Sequence, residues 1–110
     1  MEDQVVGPDL TLATDHNGDR AVITVAGELD AYSAPSLEEE ASRLLSDGVS
    51  DLVLDLSGTR FLDSSGLRAI LTAQRRLADR DGRLSLRAPS ESVRRLLDIT
   101  GLVDHFPVES

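Results

Sequence analysis

The amino-acid sequence predicts one α/β domain, with an amino-terminal antiparallel hairpin followed by strands that alternate with helices and pair in parallel. Three observations predict it. Two β-prone runs, Leu10-Thr11-Leu12-Ala13 and Ala21-Val22-Ile23-Thr24-Val25, flank Asn17-Gly18, a strong short-range hairpin signal. The run Asp51-Leu52-Val53-Leu54-Asp55-Leu56 is apolar on successive residues, as a strand covered on both faces is. Segments with apolar residues at helical spacing lie on either side of that run, and right-handed crossovers through them make the joined strands parallel.

In chain order, the hairpin leads to a helix from Ser33, with Pro35 tolerated in its first turn. Leu37, Ala41, Leu44 and Leu45 form its apolar face, and it stops near Asp47-Gly48. Its outward face is expected to carry Glu38, Glu39 and Glu40, the two nearest its start suiting the positive end of the helix dipole. After the strand at 51–56, a second helix begins near Ser64 and repeats Leu67, Ile70, Leu71, Leu77 and Ala78. The chain turns at Asp81-Gly82 and returns as Leu84-Ser85-Leu86, a shorter strand expected to be half exposed. Ser90 caps a last helix that buries Val93, Leu96 and Leu97 and ends before Gly101, a residue suited to the left-handed position past a helix end. Phe106 and Val108 add a short edge strand, while Met1–Asp9 and Pro107–Ser110 are expected to fray. The domain is read as spanning 1–110, with its core over about 9–108.

Composition narrows the function. With 110 residues and 40% apolar residues the chain can build one core without staples. It has no cysteine, which removes disulfides and thiolate chemistry. No amino-terminal segment reads as a secretion signal and no stretch approaches the roughly 20 apolar residues of a membrane span, so a cytoplasmic protein off the membrane is expected. The formal charge of −9 makes nucleic acid a poor partner. That charge is uneven: nine of the eleven arginines lie between Arg60 and Arg95 against four acids. The segment therefore offers a basic face to a partner while the rest of the chain is acidic.

The hydroxyl-rich stretch Phe61-Leu62-Asp63-Ser64-Ser65-Gly66-Leu67 sits between a strand and a helix, at the carboxyl edge of the sheet, where ligands and partners dock. On physics alone its Asp and Ser residues read as helix caps. A serine hydrolase needs a base, and only His16, beside the hairpin turn, and His105, near the carboxyl end, are present. A glycine two residues before Ser64, as a nucleophile elbow requires, is replaced by Leu62. Two separated histidines give no metal-ligand spacing, and one glycine without a lysine gives no nucleotide loop. No enzyme, cofactor or metal is expected.

Four segments carry a resemblance: Gly27-Glu28-Leu29-Asp30, Val53-Leu54-Asp55-Leu56-Ser57, Phe61-Leu62-Asp63-Ser64-Ser65-Gly66-Leu67, and Leu96-Leu97-Asp98-Ile99-Thr100-Gly101-Leu102. In this order the chain, over about Ala21 to Phe106, resembles the STAS domain of bacterial anti-sigma factor antagonists. The family usually continues into a further helix, whereas this sequence stops at Ser110. The resemblance implies a STAS-like mixed sheet packed with helices and a partner switch in transcription regulation. The unphosphorylated protein, a monomer when free, binds an anti-sigma factor serine kinase and so releases a sigma factor. The kinase phosphorylates the first serine of Asp-Ser-Ser-Gly, here Ser64, and a metal-dependent serine phosphatase reverses the reaction. Ser65 is the competing acceptor, since only the motif register favours Ser64. Asp30 and Asp63 are implied to flank the phosphorylation loop, with Ser64, Ser65 and Gly66 in the partner surface. Arg68, outward on the same helix with Arg75 and Arg76, is placed to join them. Gly66 reads equally as room for the partner and as a tight entry into the helix. The alternative function is a STAS scaffold module of a sensory or membrane-associated assembly without a phosphoswitch.

Overall fold

A computed structural model describes residues 9–109 in full and the backbone of residues 2–6. The elements are β1 (Glu2–Val6), β2 (Leu10–Asn17), β3 (Arg20–Leu29), α1 (Ala34–Ser46), β4 (Asp51–Asp55), β5 (Thr59–Leu62), α2 (Ser64–Ala78), β6 (Arg83–Arg87), α3 (Glu91–Ile99) and β7 (Val108–Glu109). All seven strands join one mixed sheet in the order β1-β2-β3-β4-β6-β7, with β5 pairing beside β3 beyond the end of β4. The first three strands are antiparallel, and every pairing from β3 onward is parallel.

The hairpin is tighter and longer than its apolar runs. Asn17 pairs with Arg20, so the two turn residues are Gly18 and Asp19, one position later than the Asn-Gly signal. Only the first of them, Gly18, has a positive φ, 66°, the glycine position of a type II′ turn. The stretch expected to fray at the amino end contains β1, antiparallel to β2; Met1, Gly7 and Pro8 lie outside the described residues, as does Ser110. At the other end Phe106 is a core residue, and Val108 and Glu109 pair with Leu86 and Arg87 instead of fraying. The strand β5 has no counterpart in the periodicity.

Parallel register aligns Ala21 and Ile23 of β3 with Leu52 and Leu54 of β4, and these with Leu84 and Leu86 of β6. This continuous apolar face joins Leu37, Leu44 and Leu45 of α1 and Ile70 and Leu77 of α2 in one buried cluster. The opposite face carries Val53 and Ser85, both fully buried, so β6 is not half exposed as its alternation implied. On that face Arg20 links Asp51 and Glu109, each at 2.6 Å, and Glu109 also accepts from Arg87.

The first helix departs from expectation at its acids. It begins at Ala34, so no acid falls in its first turn. Glu40 faces inward, only 6% exposed, although Glu38 and Glu39 are exposed as predicted. Its Oε2 accepts from the buried Thr14 hydroxyl at 2.5 Å and from Arg43 Nη2 at 2.8 Å. The last helix follows the sequence, burying Val93 and Leu97 as expected, although Leu96 is only partly buried. Ser90 Oγ accepts from the Val93 N–H, and Gly101 has φ 74° just past the helix end.

Candidate functional site

The site is built where β3 and β5 end side by side. Leu29 pairs with Leu62, and the Asp63 N–H donates to the Leu29 carbonyl at 3.3 Å. The residues that follow the pair are Asp30 and Asp63, so two separate turns are brought together at the carboxyl edge of the sheet. Each aspartate fixes its own turn. Asp63 is the N-cap of α2 with an extended backbone, and its Oδ1 accepts from the Ser65 and Gly66 N–H groups at 2.9 and 3.0 Å. Asp30 Oδ1 accepts from the Tyr32 and Ser33 N–H groups at 3.0 and 3.1 Å, closing the turn into α1.

Ser64 is the first residue of α2, and its side chain is exposed. Its hydroxyl makes no hydrogen bond among the described residues. Ser65 is half-buried. A helix leaves four N–H groups without intrahelical partners at its start. Here the Asp63 N–H has Leu29, and those of Ser65 and Gly66 have the Asp63 carboxylate, so the N–H of Ser64 alone remains open. The capping reading of this turn therefore belongs to Asp63, which releases the Ser64 hydroxyl.

Gly66 resolves one of the two roles it was given. It is buried, and a Cβ on it would lie 2.5 Å from the Leu29 carbonyl oxygen and 2.6 Å from Leu62 Cδ1. The glycine lets the first turn of α2 rest on the end of β3. Its place is packing behind the surface, with its accessible neighbours Ser64 and Arg68 in front. Arg68 stands one turn on from Ser64, at the i+4 position of the same exposed face.

Two exposed aromatics, to which the sequence assigned no role, flank the site. Tyr32, in the turn held by Asp30, is 97% exposed, and Phe61 on β5 is 48% exposed. The signal for Tyr32 was its position between Asp30 and Ser33, in a polar turn with no apolar partner at strand or helix spacing. The histidines lie elsewhere. His16 pairs with Ala21, eight residues of β3 from Leu29, which is about 26 Å at 3.3 Å per residue. His105 lies beside Arg83 and Leu84 at the start of β6, against the carboxyl-terminal half of α2. Neither is placed to activate Ser64.

A parallel-rich sheet whose adjoining turns present an exposed serine at a helix start defines a surface for contact. The chain belongs to the STAS domain family, whose model matches residues 11–110. Among its relatives, the anti-sigma-B factor antagonist of Staphylococcus epidermidis is 34% identical over 96 residues, 87% of this chain and 89% of that protein. An anti-sigma factor antagonist from Mycobacterium paratuberculosis, of known crystal structure, is 30% identical with a TM-score of 0.80, covering 94% of this chain and 89% of the other. The anti-sigma factor antagonist SpoIIAA in its unphosphorylated form is 25% identical with a TM-score of 0.79, covering 90% and 88%. SpoIIAA has also been solved in its phosphorylated form. No helix among the described residues is long and apolar enough to cross a membrane.

Proposed function

We propose that the protein is an anti-sigma factor antagonist whose unphosphorylated form binds an anti-sigma factor serine kinase, and that phosphate on Ser64 ends the binding. The observation that carries this reading is the exposed Ser64 hydroxyl, left without a partner because Asp63 takes over the helix cap. The names of the relatives support the antagonist role. In the reaction, the Ser64 oxygen bonds to the γ-phosphorus of ATP, the bond to the β-phosphate oxygen breaks, ADP leaves and the hydroxyl proton passes to a base of the kinase. A serine phosphatase returns the hydroxyl by hydrolysis.

The physics of the switch follows from the cap. A phosphate adds about −1.5 to −2 charges. It gains the positive end of the α2 dipole, but only one of the four first-turn N–H groups is open to it, because Asp63 holds two and Leu29 another. Its neighbours are the Asp63 carboxylate and, across the paired turn, Asp30. The modified site is therefore strongly anionic, and carrying it into a packed interface without a matched cation costs on the order of several kcal/mol. Binding is lost by direct exclusion at the surface, while the domain keeps its shape.

The test is incubation of the protein with ATP and each candidate anti-sigma kinase of its own cell, with the phosphate located by peptide mass spectrometry. One phosphate on Ser64, kinase binding that persists in Ser64→Ala and binding that drops at least tenfold in Ser64→Asp are the expected results. Phosphate on Ser65 would move the switch by one residue. No phosphate with any kinase, together with self-association on a sizing column, would favour the scaffold role.

A further inference from the structure

Arg68 is an arginine without a counter-ion. In α2 the positions three and four residues to either side of it hold Ser64, Ser65, Leu71 and Thr72, so no acid shares its face. It is exposed and has no ion-pair or hydrogen-bond partner among the described residues. Two other helical arginines are supplied with acids from within about one turn: Arg43 meets Glu40 and Asp47, and Arg95 meets Glu91. In a chain with twenty acids and a net charge of −9, what stands four residues before Arg68 on the same face is instead the exposed hydroxyl of Ser64.

We propose that Arg68 is the built-in counter-ion of phosphorylated Ser64, holding the phosphate as a dianion against the face of α2; the inference rests on Ser64 being the modified residue, as proposed above. Residues four apart on a helix bring their Cβ atoms to about 5–6 Å. Helical side chains slant toward the amino terminus, which directs a long side chain at position 68 back over the turn that begins at Ser64. The order favours the pair as well, since an anion four residues before a cation is the better of the two orientations. A guanidinium offers parallel N–H donors to two phosphate oxygens, a stronger contact than a point charge makes. Opposing it are the carboxylates of Asp63, in the same turn, and Asp30, in the turn paired with it, with the Tyr32 phenol exposed beside Asp30. Glu28 and Arg60, at the adjoining strand ends, face one another at 3.8 Å. One guanidinium against a dianion and two carboxylates leaves the surface anionic. A partner still meets net negative charge there, and the cation one turn away is already engaged by the phosphate.

The experiment installs phosphoserine at position 64 during synthesis of the full chain, without any kinase, and follows the phosphate by ³¹P NMR from about pH 4.5 to 8 at about 0.15 M salt. In Arg68→Ala the second phosphate pKa is expected to lie at least about 0.3 pH units above that of the parent, a twofold change in proton affinity. Arg68→Lys should recover about half of that difference, because an ammonium keeps the charge and loses the paired donors. Arg75→Ala should keep the parent value, its position being about 16 Å along the helix from Ser64, beyond a screening length of about 8 Å. In the parent the Arg68 Nε–H resonance should titrate with the same midpoint as the phosphorus signal. Equal pKa values in the parent and Arg68→Ala, or an equal rise in Arg75→Ala, would overturn the pairing. Failure of every kinase to modify Ser64 would overturn the switch and not the pairing, because the phosphate is installed without one.

Discussion

Two residues behind Ser64 set its exposure, and their substitutions separate capping from packing. Removing the Asp63 carboxylate orphans the Ser65 and Gly66 N–H groups, and Asp63→Ala is expected to destabilise the protein by about 1 kcal/mol in urea denaturation. Gly66→Ala places a methyl group against a backbone carbonyl and two leucine atoms, all within 2.9 Å, so the strand end or the helix must move. Overpacking of this kind costs about 1–3 kcal/mol, and Gly66→Ala should lower the urea midpoint more than Asp63→Ala does. A smaller effect for Gly66→Ala would mean that α2 lifts freely from β3, contrary to the close packing described. The place of this turn was legible because an Asp-Ser-Ser-Gly segment between a strand and a helix has few structural readings. The division of labour within it was not, because a cap by Asp63 and a cap by Ser64 have the same local sequence pattern. Only the extended backbone at Asp63 and its bonds to the next two N–H groups tell them apart. The exposure of Tyr32 went unread, although its place in the polar turn between Asp30 and Ser33 carried the signal.

At the scale of elements, α1 is fastened to the hairpin by a carboxylate that helical periodicity assigned to solvent. Three successive glutamates cannot share one outward face at 100° per residue, and the third turns inward to meet Thr14 and Arg43. The hydrogen bonds from Arg43, and secondarily the one from Thr14, hold the Glu40 carboxyl below its ordinary value of 4.5, against the opposing effect of burial. With the native value below the unfolded one, the unfolded chain binds more protons in the interval between them. The stabilisation is therefore complete above the ordinary carboxylate range and is lost as pH falls through the lowered native value. Glu40→Gln should cost about 1.5 kcal/mol at pH 7, at the low end for a charged hydrogen bond because Arg43 is 41% exposed. The gap to the parent should narrow as the pH is lowered below the ordinary range. A gap that stays constant on acidification would show that the carboxylate charge contributes nothing. The same comparison shows how far elements can be read in advance. The helices and the strands of the hairpin, β4 and β6 announce themselves through apolar periods and caps. By contrast β5, four residues with Thr59 and Leu62 buried and Arg60 and Phe61 exposed, matches neither period and exists because β3 outruns β4 and leaves an edge to pair. β1 likewise owes its place to an available neighbouring edge, whereas the edge strand expected around Val108 is present as β7, over Val108–Glu109 and without Phe106.

The whole molecule joins the surface proposed as a switch to a core that has little reason to respond to it. Ser64 lies outside the buried cluster, yet Leu67 and Ile70, three and six residues further on, are held in it with Leu29, Leu62 and the central strands. A charge added at Ser64 meets opposed influences: repulsion from Asp63 and Asp30, attraction from the helix dipole and from Arg68 one turn away. Each is worth a few tenths of a kcal/mol to about 1 kcal/mol at an exposed site, so their sum is small against the packing of α2 on the sheet. A change of 1 kcal/mol shifts the melting temperature of a domain of this size by roughly 4–8 °C. The protein phosphorylated on Ser64 is therefore expected to melt within about 8 °C of the parent. Its amide shift changes should be confined to the turns at 30–33 and 61–68. A partner that releases the phosphorylated form then does so because of the charge it would have to bury. Shift changes running through β3, β4 and β6, or a much larger drop in melting temperature, would instead show that phosphate on Ser64 loosens the fold, and direct exclusion would no longer account for the switch.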